Sequence, residues 1–267
     1  MGQDIKSLRV RIKSVDSTLH LTKAMGLVAS SKIRRATDGM LKSREYAESL
    51  RRSVGLLIGC PECKKSPYFE DRGDKRTRMI VIAGDRGLAG GYNANVFRLM
   101  RDYPQAEIYP IGKRACERYG APVNSSERFS SAEATDLAKK MCADFAEGTF
   151  DRLCIVGTEY VSMLVQTPRV TQLLPLKKDT KAASRSVIFE PDELTILNEV
   201  IPTYVAGMIA AQVRESFACE VAARRAAMDS AGKNAQEMID GLQLSYNRAR
   251  QSAITQEITE IVAGSGN

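Results

Sequence analysis

The sequence has little of the chemistry that catalysis requires. Its 267 residues include a single histidine, His20, and no serine has the glycine-flanked setting of a nucleophile elbow. No pair of carboxylates presents itself as an acid and a base. A Ser/His or Cys/His mechanism has little support, so we expect no catalytic residue. His20 is expected to be a solvated residue on the surface of a helix.

Long apolar runs are also missing. No stretch of 18 or more apolar residues occurs, and the N-terminus alternates charged and apolar residues where a signal peptide would have an apolar core. These absences argue against a membrane-spanning or secreted protein. Exposure to the cytosol is the expectation.

Cysteines are present, but their spacing does not form a metal site. Six are scattered along the chain, and only Cys60 and Cys63 form a close CxxC pair. A structural zinc site needs a second pair of ligands. We therefore expect no metal, and interpret most of the thiols as buried or idle.

A glycine-rich turn, Gly84–Asn93, follows an apolar run of strand length, Met79–Ala83. Backbone amides at such a turn can cradle phosphate groups. However, Gly84 and Gly87 are three residues apart, which does not fit GxGxxG, and no Gly-Lys-Ser/Thr follows. The turn is interpreted as structural, and no cofactor is expected.

The N-terminal 58 residues are predicted to form one long helix. A three-four spacing runs through sixteen positions, thirteen of which are apolar and not glycine, over about seven heptads. Its middle is small and partly polar, so another backbone could approach closely. The sixteen positions are Ile5, Leu8, Ile12, Val15, Leu19, Thr22, Gly26, Ala29, Ile33, Ala36, Met40, Ser43, Ala47, Leu50, Val54 and Leu57.

A second long helix is predicted at the C-terminus, over residues 202–263. No proline follows Pro202, and a short separate helix is expected just before it, opened by Pro191-Asp192-Glu193. At 1.5 Å per residue, a helix of about 60 residues is roughly 90 Å long, and no small compact domain needs that. Its apolar stripe is Val205, Ile209, Val213, Phe217, Val221, Met228, Ala231, Ala235, Met238, Leu242 and Ala249.

Between the helices, residues 76–190 are predicted to form a small α/β domain. After the glycine-rich turn we expect a helical segment, Ala94–Arg101. The early strands of this domain alternate with helices, which is typical of a parallel sheet. After Met79–Ala83 the predicted elements are strand Glu107–Ile111, helix Lys113–Tyr119, helix Ala132–Ala146, and strands Leu153–Val156, Val170–Leu176 and Ser186–Phe189. The last two strands are joined by a short connection and are expected to form an antiparallel edge. Residues 59–78 are interpreted as a linker or loop.

The predicted fold class is therefore α/β with long helices: an antiparallel coiled coil of the two terminal helices with an α/β domain inserted between them. Charge supports the pairing. Residues 1–59 carry twelve Lys and Arg against five Asp and Glu, whereas residues 193–267 carry six against nine. The basic helix could attract the acidic one or face another acidic partner. Two competing classes remain open at this point: a basic coiled-coil protein that binds nucleic acid, and an α/β nucleotide-binding enzyme.

Three stretches together resemble the γ subunit of F-type ATP synthases, the bacterial type without the chloroplast regulatory cysteine insert. They are Leu21–Met25 with Leu27–Ala36, Gly84–Asn93, and Tyr246–Gln251 with Ile254–Val262. Their order and separation agree along the whole chain. The resemblance implies a central rotor shaft inside a ring of three α and three β subunits, with a Rossmann-like domain outside the ring. It places catalysis in the β subunits and couples ion flow to ATP synthesis or hydrolysis.

The resemblance also implies contact residues. Contacts with the β subunits fall on Met25, Arg224, Gln251, Thr255 and Glu257. Gly26 departs from the longer side chain usual after Ala-Met. The basic N-terminal helix would face an acidic loop of the β subunit.

The foot that meets the ε subunit and the membrane c-ring would be Phe189, Glu190, Pro191 and Asp192. The implied location is peripheral, on the cytoplasmic face of the bacterial plasma membrane, and no nucleic acid partner is implied. Cys60 and Cys63 lie outside the position of the chloroplast insert, so the resemblance does not predict redox control.

Overall fold

The computed structural model describes residues 2–177 and 189–264, with side chains from Ile5 onward. The helices and strands within these ranges are, in order, α1 (Gly2–Ile58), β1 (Thr77–Ile82), α2 (Tyr92–Leu99), β2 (Glu107–Ile111), α3 (Lys113–Tyr119), α4 (Ser131–Ala146), β3 (Arg152–Tyr160), β4 (Gln166–Leu174) and α5 (Glu193–Gly264). Short 3₁₀ helices cover Glu62–Lys65, Pro67–Phe69 and Met100–Asp102. This is the mixed α/β class with long terminal helices that the sequence predicts.

The chain divides into two compact units. Residues 1–30 and 224–267 form the first, called here the terminal unit, and residues 31–223 form the central unit. Both α1 and α5 contribute residues to each unit.

Within its described residues, the central unit contains a four-stranded sheet with the order β2-β1-β3-β4. Strand β1 pairs in parallel with β2 and with β3, while β3 and β4 pair antiparallel. Successive side chains of a strand point to opposite faces of the sheet. Accordingly Ile80 and Ile82 belong to one core cluster with α4, α1 and α5, whereas Met79 and Val81 belong to a second cluster with α2.

The sheet differs from the prediction in detail. Strands β3 and β4 pair antiparallel, because only the short segment between Tyr160 and Gln166 joins them. Strand β4 ends at Leu174 and not at Leu176. Of the further strand predicted at Ser186–Phe189, all but the last residue lies outside the described residues, and Phe189 is not in a strand.

The segment predicted as a linker is folded against the core. Its two 3₁₀ helices bury Cys63, Tyr68 and Phe69 in the large cluster of the central unit. The polar composition of this segment gave no indication that these three side chains are buried.

The prediction for α1 is confirmed in length and in register. Every one of its sixteen predicted seam positions is buried or half-buried. In the central unit, Ala36 and Met40 of α1 pack against Ala218 and Val221 of α5. In the terminal unit, Leu19 packs against Ala235 and Ile239.

Helix α5 differs from the prediction in two places. Pro202 does not restart the helix, and no separate short helix precedes it, because Glu193–Gly264 is one continuous helix. Burial of Leu197 and Ile201 in the core of the central unit holds the helix together across the proline. Met238 is 48% exposed, and Ile239 takes its place in the buried stripe.

Among the described residues, α5 alone is apolar enough over one stretch to cross a membrane by length and composition. Leu197, Ile201, Val205 and Ile209 are fully buried in the core of the central unit. A core helix of a soluble protein satisfies the same test, so this stretch is weak evidence for a membrane span.

Candidate partner-contact surfaces

The glycine-rich turn after β1 is filled by the protein's own side chains. The amide of Gly84 donates to Oδ1 of Asn93 at 2.9 Å, and Nδ2 of Asn93 donates to the carbonyl of Arg86 at 3.3 Å. A Cβ atom at Gly84 would lie 2.6 Å from Cδ of Glu220. The turn thus has a glycine here because a buried carboxylate occupies the space, which supports the structural interpretation.

Asp85 fixes this turn to the start of α3 and to the following loop. Its carboxylate accepts hydrogen bonds from the backbone amides of Lys113, Ser126 and Glu127 at 2.9 to 3.1 Å, and from the hydroxyl of Ser125. Burial alone would raise the pKa of Asp85, but these hydrogen bonds to the charged form outweigh it and lower the pKa. The cluster stabilises local structure, and its acceptor atoms are already used.

No group of three or more His, Cys, Asp or Glu side chains within residues 2–177 and 189–264 could hold a metal ion. His20 is on the surface, with 76% of its side chain exposed.

The last turns of α5 form one exposed surface in the terminal unit. Nη2 of Arg9 donates to the hydroxyl of Tyr246 at 2.8 Å. Both helices rise 1.5 Å per residue, so antiparallel pairing places the first residue of α1 opposite about residue 253 of α5. The turns of α5 beyond that point lie past the described residues of α1.

Apolar side chains are concentrated on these turns. Ile254 is 44% exposed, Ile258 57%, Ile261 69% and Val262 65%. At 3.6 residues per turn, these four share roughly a third of the helix circumference with Gln251 and Thr255. The half-buried Tyr246, Ala249 and Ala253 occupy the opposite side. We call the set Gln251, Ile254, Thr255, Ile258, Ile261 and Val262 the distal face.

The polar residues of this region are available for contact. The hydroxyl of Thr255 donates to the carbonyl of Gln251 at 3.0 Å, which leaves its oxygen able to accept. The side chains of Gln251 and Glu257 are exposed and have no hydrogen bond or ion pair among the described residues. Glu257 lies at the edge of the distal face.

Met25 belongs to a second apolar surface of the terminal unit. It is half-buried, and its neighbours at helical spacing, Leu21 and Val28, are 58% and 55% exposed. Together with Ala24 they form one side of α1, away from the seam position Gly26. We call Leu21, Ala24, Met25 and Val28 the α1 face. The resemblance implied only Met25 as a contact on this face. The helical spacing of its apolar neighbours can, however, be recognised in the sequence.

Arg224 is half-buried on α5 in the same unit. A groove of about 490 Å³ lies nearby, between α1 and α5. It is lined in part by Thr22, Gly26, Arg225 and Gly232. The missing side chain at Gly26 contributes to this space.

The predicted foot lies in the central unit. Phe189 is half-buried against the large core cluster, while Glu190, Pro191 and Asp192 are exposed. Asp192 caps α5, accepting from the amide and the hydroxyl of Thr195 at 2.9 and 2.8 Å. The hydrogen bond from the Thr195 amide lowers the pKa of the Asp192 carboxyl. The structure thus anchors one end of this stretch and exposes the rest.

These observations define a class of protein: a mixed α/β subunit with two long terminal helices that expose apolar faces. The chain belongs to the ATP synthase family, whose model matches residues 4–266. Within that family it is a γ subunit, the rotor shaft, and it is not the catalytic subunit.

Solved structures agree with this fold. A chain of the Euglena gracilis mitochondrial ATP synthase, in the structure of its OSCP, F1 and c-ring, matches with a TM-score of 0.74 over 99% of this chain and 94% of that one, at 18% identity. A chain of the rotor of the same enzyme matches with a TM-score of 0.68 over 95% and 100%, also at 18% identity. A chain of the central stalk and c-ring of the Tetrahymena thermophila mitochondrial ATP synthase matches with a TM-score of 0.63 over 79% and 99%, at 20% identity.

Proposed function

We propose that this chain turns inside a ring of α and β subunits and selects β conformations by contact through its terminal unit. The observation that carries the proposal is the distal face, where apolar side chains of a continuous helix are exposed beyond the last contact with α1. Large exposed apolar patches mark contact sites with other molecules. A rotating shaft can favour one conformation of a partner only through contacts that differ between conformations.

The distal face is better suited to an interface that allows rotation than to a rigid interface. Isoleucine and valine side chains interact without a fixed direction, so they tolerate rotation against an apolar collar. Gln251, Thr255 and Glu257 add directional hydrogen bonds that can form at one angle and break at another. We propose these three residues as β-subunit contacts on this surface.

Met25 and Arg224 are proposed as β-subunit contacts lower on the shaft. Met25 presents a flexible side chain within the α1 face, which suits a surface that meets several partner conformations. Arg224 carries a permanent charge with five donors, which matches a carboxylate of the partner. The coiled-coil pairing of residues 1–58 with residues 202–263 is part of the same proposal.

The excess of positive charge on α1 supports an acidic partner. Arg34, Arg35 and Lys42 are exposed and have no carboxylate partner among the described residues. An acidic loop of a β subunit would complement them, and salt would weaken that contact.

Foot contacts are proposed for Phe189, Glu190, Pro191 and Asp192. The exposed part of this stretch would meet the ε subunit and the c-ring. The solved structures named above include a c-ring, and we infer a similar position for this chain. From the resemblance of the sequence to the bacterial type of γ subunit, we propose a peripheral location on the cytoplasmic face of a bacterial plasma membrane, with a proton or sodium ion as the coupling ion.

Reconstitution tests the partners. The purified chain is mixed with α and β subunits, and assembly is followed by size-exclusion chromatography together with ATP hydrolysis. We expect a stable complex that hydrolyses ATP faster than α and β subunits alone. If no complex forms and the chain instead binds DNA with an affinity that falls steeply with salt, the partner proposal is wrong.

Variants of the distal face test the contacts. We expect Gln251→Ala and Thr255→Ala to lower the ATPase rate of the assembled complex, because each removes a hydrogen bond formed at particular shaft angles. Gln256→Ala is the matched control, since Gln256 is exposed in the same turns but lies on the side away from the distal face. Equal rates in all three variants would contradict the assignment.

A further inference from the structure

A cavity of about 320 Å³ lies in the central unit, between α1, α5 and the loop that joins α3 to α4. Small residues of α1, Ala36 and Gly39, form part of its wall, and a Cβ atom at Gly39 would meet nothing within 4 Å. Small-molecule sites in proteins have volumes of this order. The cavity is therefore large enough for a ligand of a few heavy atoms.

Positive charge in the wall of this cavity exceeds negative charge. Lys32, Arg35 and Arg214 contribute cations, whereas Glu127 is the only carboxylate among the described lining residues. Glu127 already has two partners: its Oε1 accepts from Nζ of Lys32 at 2.6 Å, and its Oε2 lies 3.7 Å from Nη2 of Arg86. Arg35 and Arg214 have no carboxylate partner within residues 2–177 and 189–264. Two guanidinium charges are thus uncompensated.

A buried hydroxyl in the same wall lacks a hydrogen-bond partner. Ser126 is 4% exposed, and its Oγ has no partner in the described part of the chain. Its backbone amide donates to Oδ1 of Asp85 at 2.9 Å, which holds the loop in place. Buried polar groups nearly always have a hydrogen-bond partner. An acceptor atom of a ligand would supply the missing one.

Another part of the wall is apolar. Val213 and Phe217 are one helical turn apart on α5, and Phe129 belongs to the loop. Val213 is buried, and both phenylalanines are half-buried. Ligand sites typically combine such an apolar surface with a few polar groups that fix the orientation of the ligand.

We propose that this cavity binds a small organic phosphate, a phosphate monoester with an apolar body. Arg35 and Arg214 donate to the phosphate oxygens, since a guanidinium group matches phosphate with paired N–H donors. The hydroxyl of Ser126 donates to a third oxygen. A phosphate monoester carries nearly two negative charges at neutral pH, which balances the two uncompensated guanidinium groups. Its apolar body lies against Val213, Phe217 and Phe129.

Every residue of this site belongs to the one chain, so binding does not require the partners proposed above. Arg35 is also part of the basic surface that would face an acidic loop of a β subunit. A bound phosphate would therefore compete with that loop for Arg35. This competition, unlike the site itself, rests on the proposed function.

The experiment uses the full chain and phenyl phosphate as the probe, in isothermal titration calorimetry at constant ionic strength. Inorganic phosphate has the anionic group without the apolar body, and phenol has the body without the anionic group. We expect phenyl phosphate to bind about tenfold or more tightly than either. No saturable binding of phenyl phosphate, or binding no tighter than that of phenol or inorganic phosphate, would overturn the proposal.

Variants of the arginines separate the site from general attraction by positive charge. We expect Arg35→Gln and Arg214→Gln each to weaken the binding of phenyl phosphate about tenfold, because each removes a charge-assisted contact. Arg34→Gln is the matched control, since Arg34 is also exposed on α1 but does not line the cavity. Equal weakening by Arg34→Gln would overturn the proposal.

Ser126→Ala tests the unpartnered hydroxyl with two readouts. We expect weaker binding of phenyl phosphate, because a donor to the phosphate is lost. We also expect no loss of stability in the absence of the probe, because this hydroxyl has no hydrogen bond to lose. Unchanged affinity, or a chain destabilised in urea without the probe, would contradict the proposal.

Discussion

The carboxylate of Glu220 occupies the space beside Gly84 in the central unit. Glu220 is 2% exposed, and its Oε2 lies 3.4 Å from the amide nitrogen of Asp85. A Cβ atom at position 84 would come within 2.6 Å of Cδ and 2.8 Å of Oε2 of this side chain. The glycine-rich turn and α5 thus fit together only because residue 84 has no side chain.

We therefore expect Gly84→Ala to destabilise the chain by about 1–3 kcal/mol, the usual cost of forcing extra atoms into a packed site. Gly91→Ala is the control, because the atoms nearest to a Cβ there belong to the Asn95 side chain and lie at 3.4 Å or more. Urea denaturation of both variants measures the difference. A Gly84→Ala variant as stable as Gly91→Ala would show that Glu220 moves aside without cost.

We expect the ionisation of Asp85 to make the stability of the chain depend on pH. Its pKa in the folded chain lies below the ordinary value of 3.8, so its carboxylate stabilises the fold above that value and loses this contribution as the pH falls through the folded pKa. We expect Asp85→Asn to lower the melting temperature at neutral pH, and the difference from the unaltered chain to shrink below about pH 4. A difference that stays constant down to about pH 3 would contradict the role given to the charge.

We expect the replacement of Gly26 by alanine to increase the stability of the chain. A Cβ at this position would lie 3.7 Å from Cβ of Met228, which is an ordinary van der Waals distance. Replacing glycine by alanine in a helix interior gains about 1 kcal/mol, so Gly26→Ala should raise the free energy of unfolding by about that amount. Gly39→Ala is matched to it, since a Cβ there meets nothing within 4 Å. If Gly39→Ala stabilises the chain and Gly26→Ala does not, the seam has less room at Gly26 than the structure indicates.

The long helices were the most predictable part of the fold. A three-four spacing sustained over α1 is a local signal, and it identified the seam position by position. The prediction that the helix is interrupted at Pro202 was wrong. It relied on the local effect of proline, whereas the burial of Leu197 and Ile201 keeps the helix continuous. The buried stripe of α5 contains Ile239 instead of the predicted Met238 for a similar reason. Which residues of one helix are buried depends on how the partner helix packs against it.

Pairing of the strands could not be read from the spacing alone. Whether β1 joins β3 depends on contacts between residues distant in sequence, such as Thr77 opposite Arg152, and the same holds for Glu220, whose burial no local pattern predicted. The expected contact residues came from resemblance. The structure adds that Gln251 and Thr255 share a face with four exposed apolar side chains, and that Leu21 and Val28 accompany Met25.

Rotation of the chain within an assembled complex is the measurement that decides whether it acts as a shaft. The α and β subunits are fixed to a surface, a gold particle is attached to the exposed part of this chain, and ATP is added. We expect rotation in one direction, with three pauses per turn, one for each of the three proposed β subunits. Hydrolysis of ATP by an assembled complex in which the particle does not rotate would contradict it.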